Sequence, residues 1–180
     1  MALTKKQTGV LIGMAIGMAI SLNIILVGAW YNPFSFSASS SLTTRLATAI
    51  AWSVLPALFL VASVARLAKH RFFTPEDIDG GGGLSHDSKQ ALLLQTLLQN
   101  TLEQLLIAIV IYPAWAVMMP ADWMSVVPLA AISFAIGRVL FFSGYKSGAP
   151  SRSLGFALTF YPTALMLITI IGRVVWKNLA

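Results

Sequence analysis

No cysteine occurs in the 180 residues, which excludes a disulfide framework, a thiolate metal site and a cysteine nucleophile. Histidine is nearly absent too: His70 and His86 are read as lying in one loop, and no metal site is expected from them. Acidic residues number six against twelve Lys and Arg, and charged residues of either sign make up only 10% of the chain. A net charge of +6 in a soluble domain would suggest nucleic acid. Here the basic residues stand singly between apolar runs instead of clustering on a face, so they read as topology signals and no nucleic-acid partner is expected.

What the chain does have is apolar surface. It is 57% hydrophobic with a mean hydropathy of +0.80, more than a soluble globule of this size can hide, and lipid has to cover the remainder. A hydrocarbon core takes about 20 mostly apolar residues to cross as helix, and five stretches meet that length. They fall at about residues 9–30, 44–68, 88–119, 124–145 and 152–176. The expected fold class is therefore all-α, an integral membrane helical bundle, multi-pass, with no soluble domain and no repeat.

The first stretch follows Lys5 and Lys6, the layout of a signal peptide as well as of a membrane helix. It is longer than a typical signal core and lacks a clear small-residue cleavage site, so it is read as an uncleaved first helix. Gly9, Gly13 and Gly17 recur every fourth residue, a spacing that lets another helix approach closely in lipid. Glycine is also simply common in membrane helices, and the spacing alone leaves both readings open. A serine-rich link at 32–41 with Pro33 breaks the helix before the second span. The longest polar segment, 74–89, has Pro75 positioned to open a short helical turn and a glycine run from Gly80 to Gly83. In the third span Pro113 predicts a kink, and Pro120, Ala121, Asp122 and Trp123 form a turn with an interfacial tryptophan. With the N-terminus placed inside, Lys5, Lys6, Arg66, Lys69, Arg71, Lys89, Lys146 and Arg152 all fall at cytoplasmic ends, which predicts a cytoplasmic N-terminus.

Ionisable side chains at membrane depth cost at least a few kcal/mol, so those present face the bundle interior and pair with something. Glu103 and Arg138 are the clearest cases. Thr96, Asn100 and Glu103 are spaced to share one face of the third helix, and Arg138 and Tyr145, seven apart, share a face of the fourth. If those faces meet, Glu103 is expected beside Arg138, with both ionised; the spacing fits an interhelical clamp as well as a binding site. Arg152 stands beside Ser153 at the start of the fifth helix, where a cation, a hydroxyl and unsatisfied backbone N–H groups suit an anion. An ordinary positive-inside residue is the other reading of that position.

Four stretches, in order, carry a resemblance. Residues 66–77 read Arg-Leu-Ala-Lys-His-Arg-Phe-Phe-Thr-Pro-Glu-Asp, 99–103 Gln-Asn-Thr-Leu-Glu, 137–145 Gly-Arg-Val-Leu-Phe-Phe-Ser-Gly-Tyr, and 148–153 Gly-Ala-Pro-Ser-Arg-Ser. Together they resemble the MAPEG family, the membrane-associated proteins of eicosanoid and glutathione metabolism, including its Asn-x-x-Glu signature and a following signature that begins with arginine and ends in tyrosine. Four linked segments are more specific than any one of them. The family's four helices correspond to the second to fifth here. The expected division is thus an extra N-terminal transmembrane helix and linker at 1–43 and a MAPEG-like four-helix membrane domain at 44–180.

The resemblance implies a homotrimer that binds glutathione near the cytoplasmic face between neighbouring protomers. Carried over by position, Arg66, Asn100, Glu103, Arg138 and Tyr145 would hold glutathione. Arg152, helped by Ser153, would stabilise its thiolate, and Asp77 matches an acid implicated in the family's prostaglandin-synthesising members. The implied activity is that of a glutathione-dependent membrane enzyme, a transferase or peroxidase, acting on a lipophilic small-molecule electrophile that arrives from the membrane lipid. A non-catalytic lipid-binding or scaffold protein is the alternative within the same fold. The chain departs from the family pattern at Thr96, where many members have arginine, at Leu98, which replaces a polar residue, and at Phe141 and Phe156. A channel or transporter would spread polar residues through the full depth of the bundle, whereas here they gather in one half.

Overall fold

The structure, a computed structural model, describes residues 3–79 and 87–179; the glycine run 80–83 and His86 lie outside the described residues. It is 88% helical with no strand among the described residues. Five helices are long and apolar enough to cross a membrane: α1 (Lys5–Leu26, continued by a π-helical turn Val27–Tyr31), α2 (Leu42–Phe73), α3 (Lys89–Met118), α4 (Val126–Gly144) and α5 (Ala149–Leu179). This is the all-α membrane bundle expected from the sequence.

Each boundary has a local cause. Thr4 caps α1 through a capping box with Gln7, Ser41 accepts from the Thr44 backbone N–H to start α2, and Ser88 does the same for Ala91 at the start of α3. Asn32 ends the first span in the left-handed region at φ 46; its side chain holds the turn by accepting from the Phe36 N–H and donating to the Phe36 carbonyl. Gly148, at φ 98, turns the chain into α5. Pro56, Pro113 and Pro162 sit inside helices that run on through them, as membrane helices tolerate.

Three helices exceed their expected bounds, α1 by beginning at Lys5. α2 continues to Phe73, so His70 lies in its last turn with Arg71, not in the loop; cationic side chains there complement the exposed carbonyls. α5 begins at Ala149, which places Arg152 within its first turn.

Cross-links fix the two ends of the bundle. At one end Arg45 donates to the Met119 carbonyl at 2.9 Å, the Phe34 N–H donates to Ser125, and the core is packed from Tyr112, Trp115, Met124, Val127 and Met166. At the other, Gly9 of α1 meets Pro150 of α5 and the α2–α3 connection is closed by Asp77. That carboxylate is buried and accepts from the Ser88 N–H and hydroxyl, both at 2.7 Å, while His70 Nε2 lies 2.8 Å away. α1 and α5 therefore run parallel, and the starts of α1, α3 and α5 share one end with the finishes of α2 and α4. The outer surfaces of α1 and α2 remain apolar and exposed, with Ile12, Ile16, Ile50, Val54, Leu58 and Val61 facing outward, as lipid-facing helices require.

The hydrogen bonds from Ser88, first its hydroxyl and then its N–H, hold the Asp77 carboxyl below its ordinary value of 3.8. Its contribution to stability is therefore fully present above that ordinary value and is withdrawn as pH falls through the lowered one. The amides at the start of α3 are expected to gain hydrogen exchange in acid below this range, and Asp77→Asn to exchange fast at every pH. Ser88→Ala, which removes the cap, is expected to destabilise the protein by about 1 kcal/mol in thermal unfolding.

Candidate functional site

Three glycines bring α4 and α5 together. A Cβ on Gly155 would stand 2.4 Å from the Phe141 backbone nitrogen, one on Gly137 2.8 Å from the Gly155 carbonyl oxygen, and one on Gly144 2.3 Å from the Ser151 carbonyl oxygen. No other residue type permits this approach. Side chains that would otherwise be separated by a full interhelical spacing are pressed into contact.

Arg138 is the first consequence. It is fully buried at membrane depth, where its Nη1 donates to Asn100 Oδ1 at 2.8 Å and lies 3.5 Å from Thr101 Oγ1, and its Nη2 donates to Thr159 Oγ1 at 2.6 Å. The guanidinium also lies 4.6 Å from the centroid of the Phe141 ring and 5.6 Å from that of Phe134. One side chain thus ties α3, α4 and α5.

The expected pairing of Glu103 with Arg138 does not form. Among the described residues the ion pairs are His70–Asp77 and Arg71–Asp87, and Glu103 is exposed on the outer face of α3, where it accepts from Gln99 Nε2 at 2.9 Å. The reason is angular. At about 100° per residue, Asn100 stands at the edge of the buried face centred on Leu97, Thr101, Gln104 and Ala108, and Glu103 is rotated about 60° further outward. Asn100 takes the arginine because it is the residue at the seam.

A cavity of about 320 Å³ opens beside this seam, lined by the polar residues Thr96, Asn100, Tyr145, Arg152 and Ser153 and by the apolar Val10, Met14, Phe141, Ala149 and Phe156. The Arg152 guanidinium lies over the Tyr145 ring, 4.2 Å from its centroid, and Tyr145 packs edge-on against Phe141 at 5.4 Å. Because Asn100 Oδ1 is engaged by Arg138, its Nδ2 is the end left for the cavity. Ser153 donates to the Pro150 carbonyl at 2.8 Å and Thr96 to the Leu92 carbonyl, so each presents lone pairs. The lining carries a cation and no carboxylate, and an anion with an apolar part is what it suits.

Of the residues singled out by sequence, Asn100, Tyr145, Arg152 and Ser153 line this cavity together. Arg138 stands behind Asn100 and orients it. Glu103, Arg66 and Asp77 do not line it: Arg66 is exposed on α2, its guanidinium 5.6 Å from the Phe142 ring, in a separate surface depression of about 470 Å³ with Lys69, His70 and Phe73; Asp77 holds Ser88, the cap of α3. Sequence reasoning did not find Val10, Met14, Thr101 or Thr159. The only signal for Thr159 was a hydroxyl four residues after a glycine on the fifth helix, which nothing in the sequence relates to an arginine 21 positions earlier.

This arrangement defines a polytopic membrane bundle with a positively charged, partly apolar cavity at one end. The chain belongs to the MAPEG family, whose pattern it matches over residues 46–172. That match begins inside α2 and leaves α1 outside it. No curated protein and no solved structure matches the chain.

Arg138→Lys keeps the charge but cannot reach both Asn100 and Thr159. Losing one such charged hydrogen bond is expected to cost about 2 kcal/mol, read as a lower melting temperature in detergent; melting equal to that of the unaltered protein would show that the three-helix tie is dispensable.

Proposed function

We propose that this protein is a glutathione-dependent membrane enzyme, a transferase or peroxidase acting on a lipophilic electrophile. The observation that carries this reading is that Arg152, Tyr145 and Asn100 line one cavity together with Val10, Met14, Phe141 and Phe156. Glutathione offers carboxylates and a thiol. A free thiol ionises near pH 8.5, about, and only the anion is an effective nucleophile. A guanidinium beside the sulfur lowers the thiol pKa and raises the thiolate fraction at neutral pH.

In the reading proposed, Arg152 faces the sulfur and Tyr145 and Asn100 bind carboxylate or peptide oxygens. Ser153 donates to the sulfur by releasing the Pro150 carbonyl. The S–H proton leaves to solvent. In a transferase the sulfur bonds to the electrophilic carbon as a leaving group departs with its electron pair or, in an alkenal, as the C=C pair moves to the α-carbon and takes a proton from water. In a peroxidase the thiolate bonds to a peroxide oxygen, expelling alkoxide, before a second glutathione thiolate displaces that oxygen as hydroxide and leaves the disulfide. The glutathione amine needs an acceptor, and the lining supplies no carboxylate for it. Glu103 and Arg66 both stand on outer faces, so a second copy of the chain would bring them to the site. That supports a homotrimer with a site completed between protomers, and it gives the exposed Glu103 a partner at membrane depth. The charge distribution supports a cytoplasmic N-terminus and a site near the cytoplasmic face. The family match from residue 46 supports the division into an added first helix and a four-helix domain.

A second reading is favoured by Thr96, Phe141 and Phe156, which make the cavity less polar than a full glutathione shell: a non-catalytic protein that binds lipid or presents it to a partner. Calorimetry with glutathione on the detergent-solubilised protein separates the two. Saturable binding is expected, weakened roughly tenfold in Glu103→Ala, with conjugation of chlorodinitrobenzene reduced roughly hundredfold in Arg152→Ala. Absence of binding at millimolar glutathione would sink the enzymatic reading and promote the lipid-binding one.

A further inference from the structure

α1 lies outside the family match, yet it forms one side of the cavity. Its seam with α5 is set by glycines: a Cβ on Gly13 would stand 2.1 Å from Ser153 Oγ, one on Gly17 2.3 Å from the Ala157 Cβ, and one on Gly9 2.9 Å from the Pro150 Cβ. The two helices are therefore in backbone-close contact over the stretch that carries Arg152 and Ser153, with no slack for α1 to move inward or slide. Val10 and Met14 each follow one of these glycines. A step of about 100° round the helix carries both away from the seam and into the cavity, whose lining they share with Phe141 and Phe156.

We propose that Val10 and Met14 are specificity-determining residues, the wall against which the apolar part of the ligand packs, and that this part is an elongated, flexible alkyl chain. The two side chains stand one turn apart, so their wall runs along the helix axis for roughly 6 Å, and an elongated group covers it. The glycine seam holds that wall against Ser153 and Ala157 of α5. Methionine, unbranched and polarisable, fits its surface to a flexible chain. Met14 is also half exposed, so the wall reaches the outside of the bundle and a chain can enter from lipid. The role of Arg152 toward the anionic end rests on the proposed function; the role of α1 toward the apolar end does not.

The test uses the full chain in lipid nanodiscs, as wild type, Met14→Trp and Met14→Ala. In glutathione conjugation with linear alkenals of increasing length, Met14→Trp is expected to raise KM for the longest by about tenfold while KM for glutathione stays within about twofold; Met14→Ala is expected to shift preference toward longer chains. An unchanged length profile in both variants, with conjugation intact, overturns the proposal. If wild type conjugates nothing, the glutathione reading fails and the wall is judged by binding of the fluorescent fatty acid dansylundecanoate. Binding weakened about tenfold by Met14→Trp supports the wall, whereas equal binding by all three proteins, or none by wild type, overturns it.

Discussion

A guanidinium held away from water in a membrane bundle costs several kcal/mol unless its N–H groups find acceptors, and neighbouring helices meet that demand at both terminal nitrogens of Arg138, leaving Nε without a partner. Asn100 and Thr101 on α3 and Thr159 on α5 supply the oxygens, and Phe134 and Phe141 on α4 supply ring faces. Because the acceptors come from different helices, satisfying the charge also sets the relative register of three of the five. The same contact determines which end of the Asn100 amide faces the cavity, so a buried structural cation decides the chemistry presented a few ångströms away.

Close approach is the second constraint, and it is carried by small residues because lipid gives helices no hydrophobic reason to associate. Gly137, Gly144 and Gly155 join α4 to α5, and Gly9, Gly13 and Gly17 join α1 to α5. α5 therefore sits between two glycine seams, with Arg152 and Ser153 at its start. The first seam presses Tyr145 against Arg152; the second brings an apolar wall that the matched part of the chain does not contain.

Polar residues left outside these seams have a common pattern. Glu103, Gln99 and Arg66 face outward from the single chain, while the outer faces around them are apolar. A carboxylate and an amide bonded to each other on such a surface reduce the cost of exposure to lipid but do not abolish it. The reading in which further copies of the chain cover them follows from that cost.

The sequence alone yields the five spans, because length and hydropathy are local properties that the bilayer reads directly. It also yields the turn at Pro75 and the family through four linked segments, while the caps at Thr4, Ser41 and Ser88 emerged only with the structure. It placed Asn100, Tyr145, Arg152 and Ser153 among the candidates, since polar residues at helical spacing within apolar runs are conspicuous. Which neighbour each side chain meets emerges only in three dimensions. Asn100 and Glu103 are separated by one helical turn and look equivalent along the chain, but a rotation of about 60° puts one at a three-helix seam and the other on the outer surface. Asp77, conspicuous as an acid, became the acceptor that holds the α3 cap residue Ser88, and the glycine repeat of α1, equally consistent with mere abundance, became the contact that completes a cavity. Those outcomes depend on helix rotation and on interhelical distance, and neither quantity is written in any local stretch of residues.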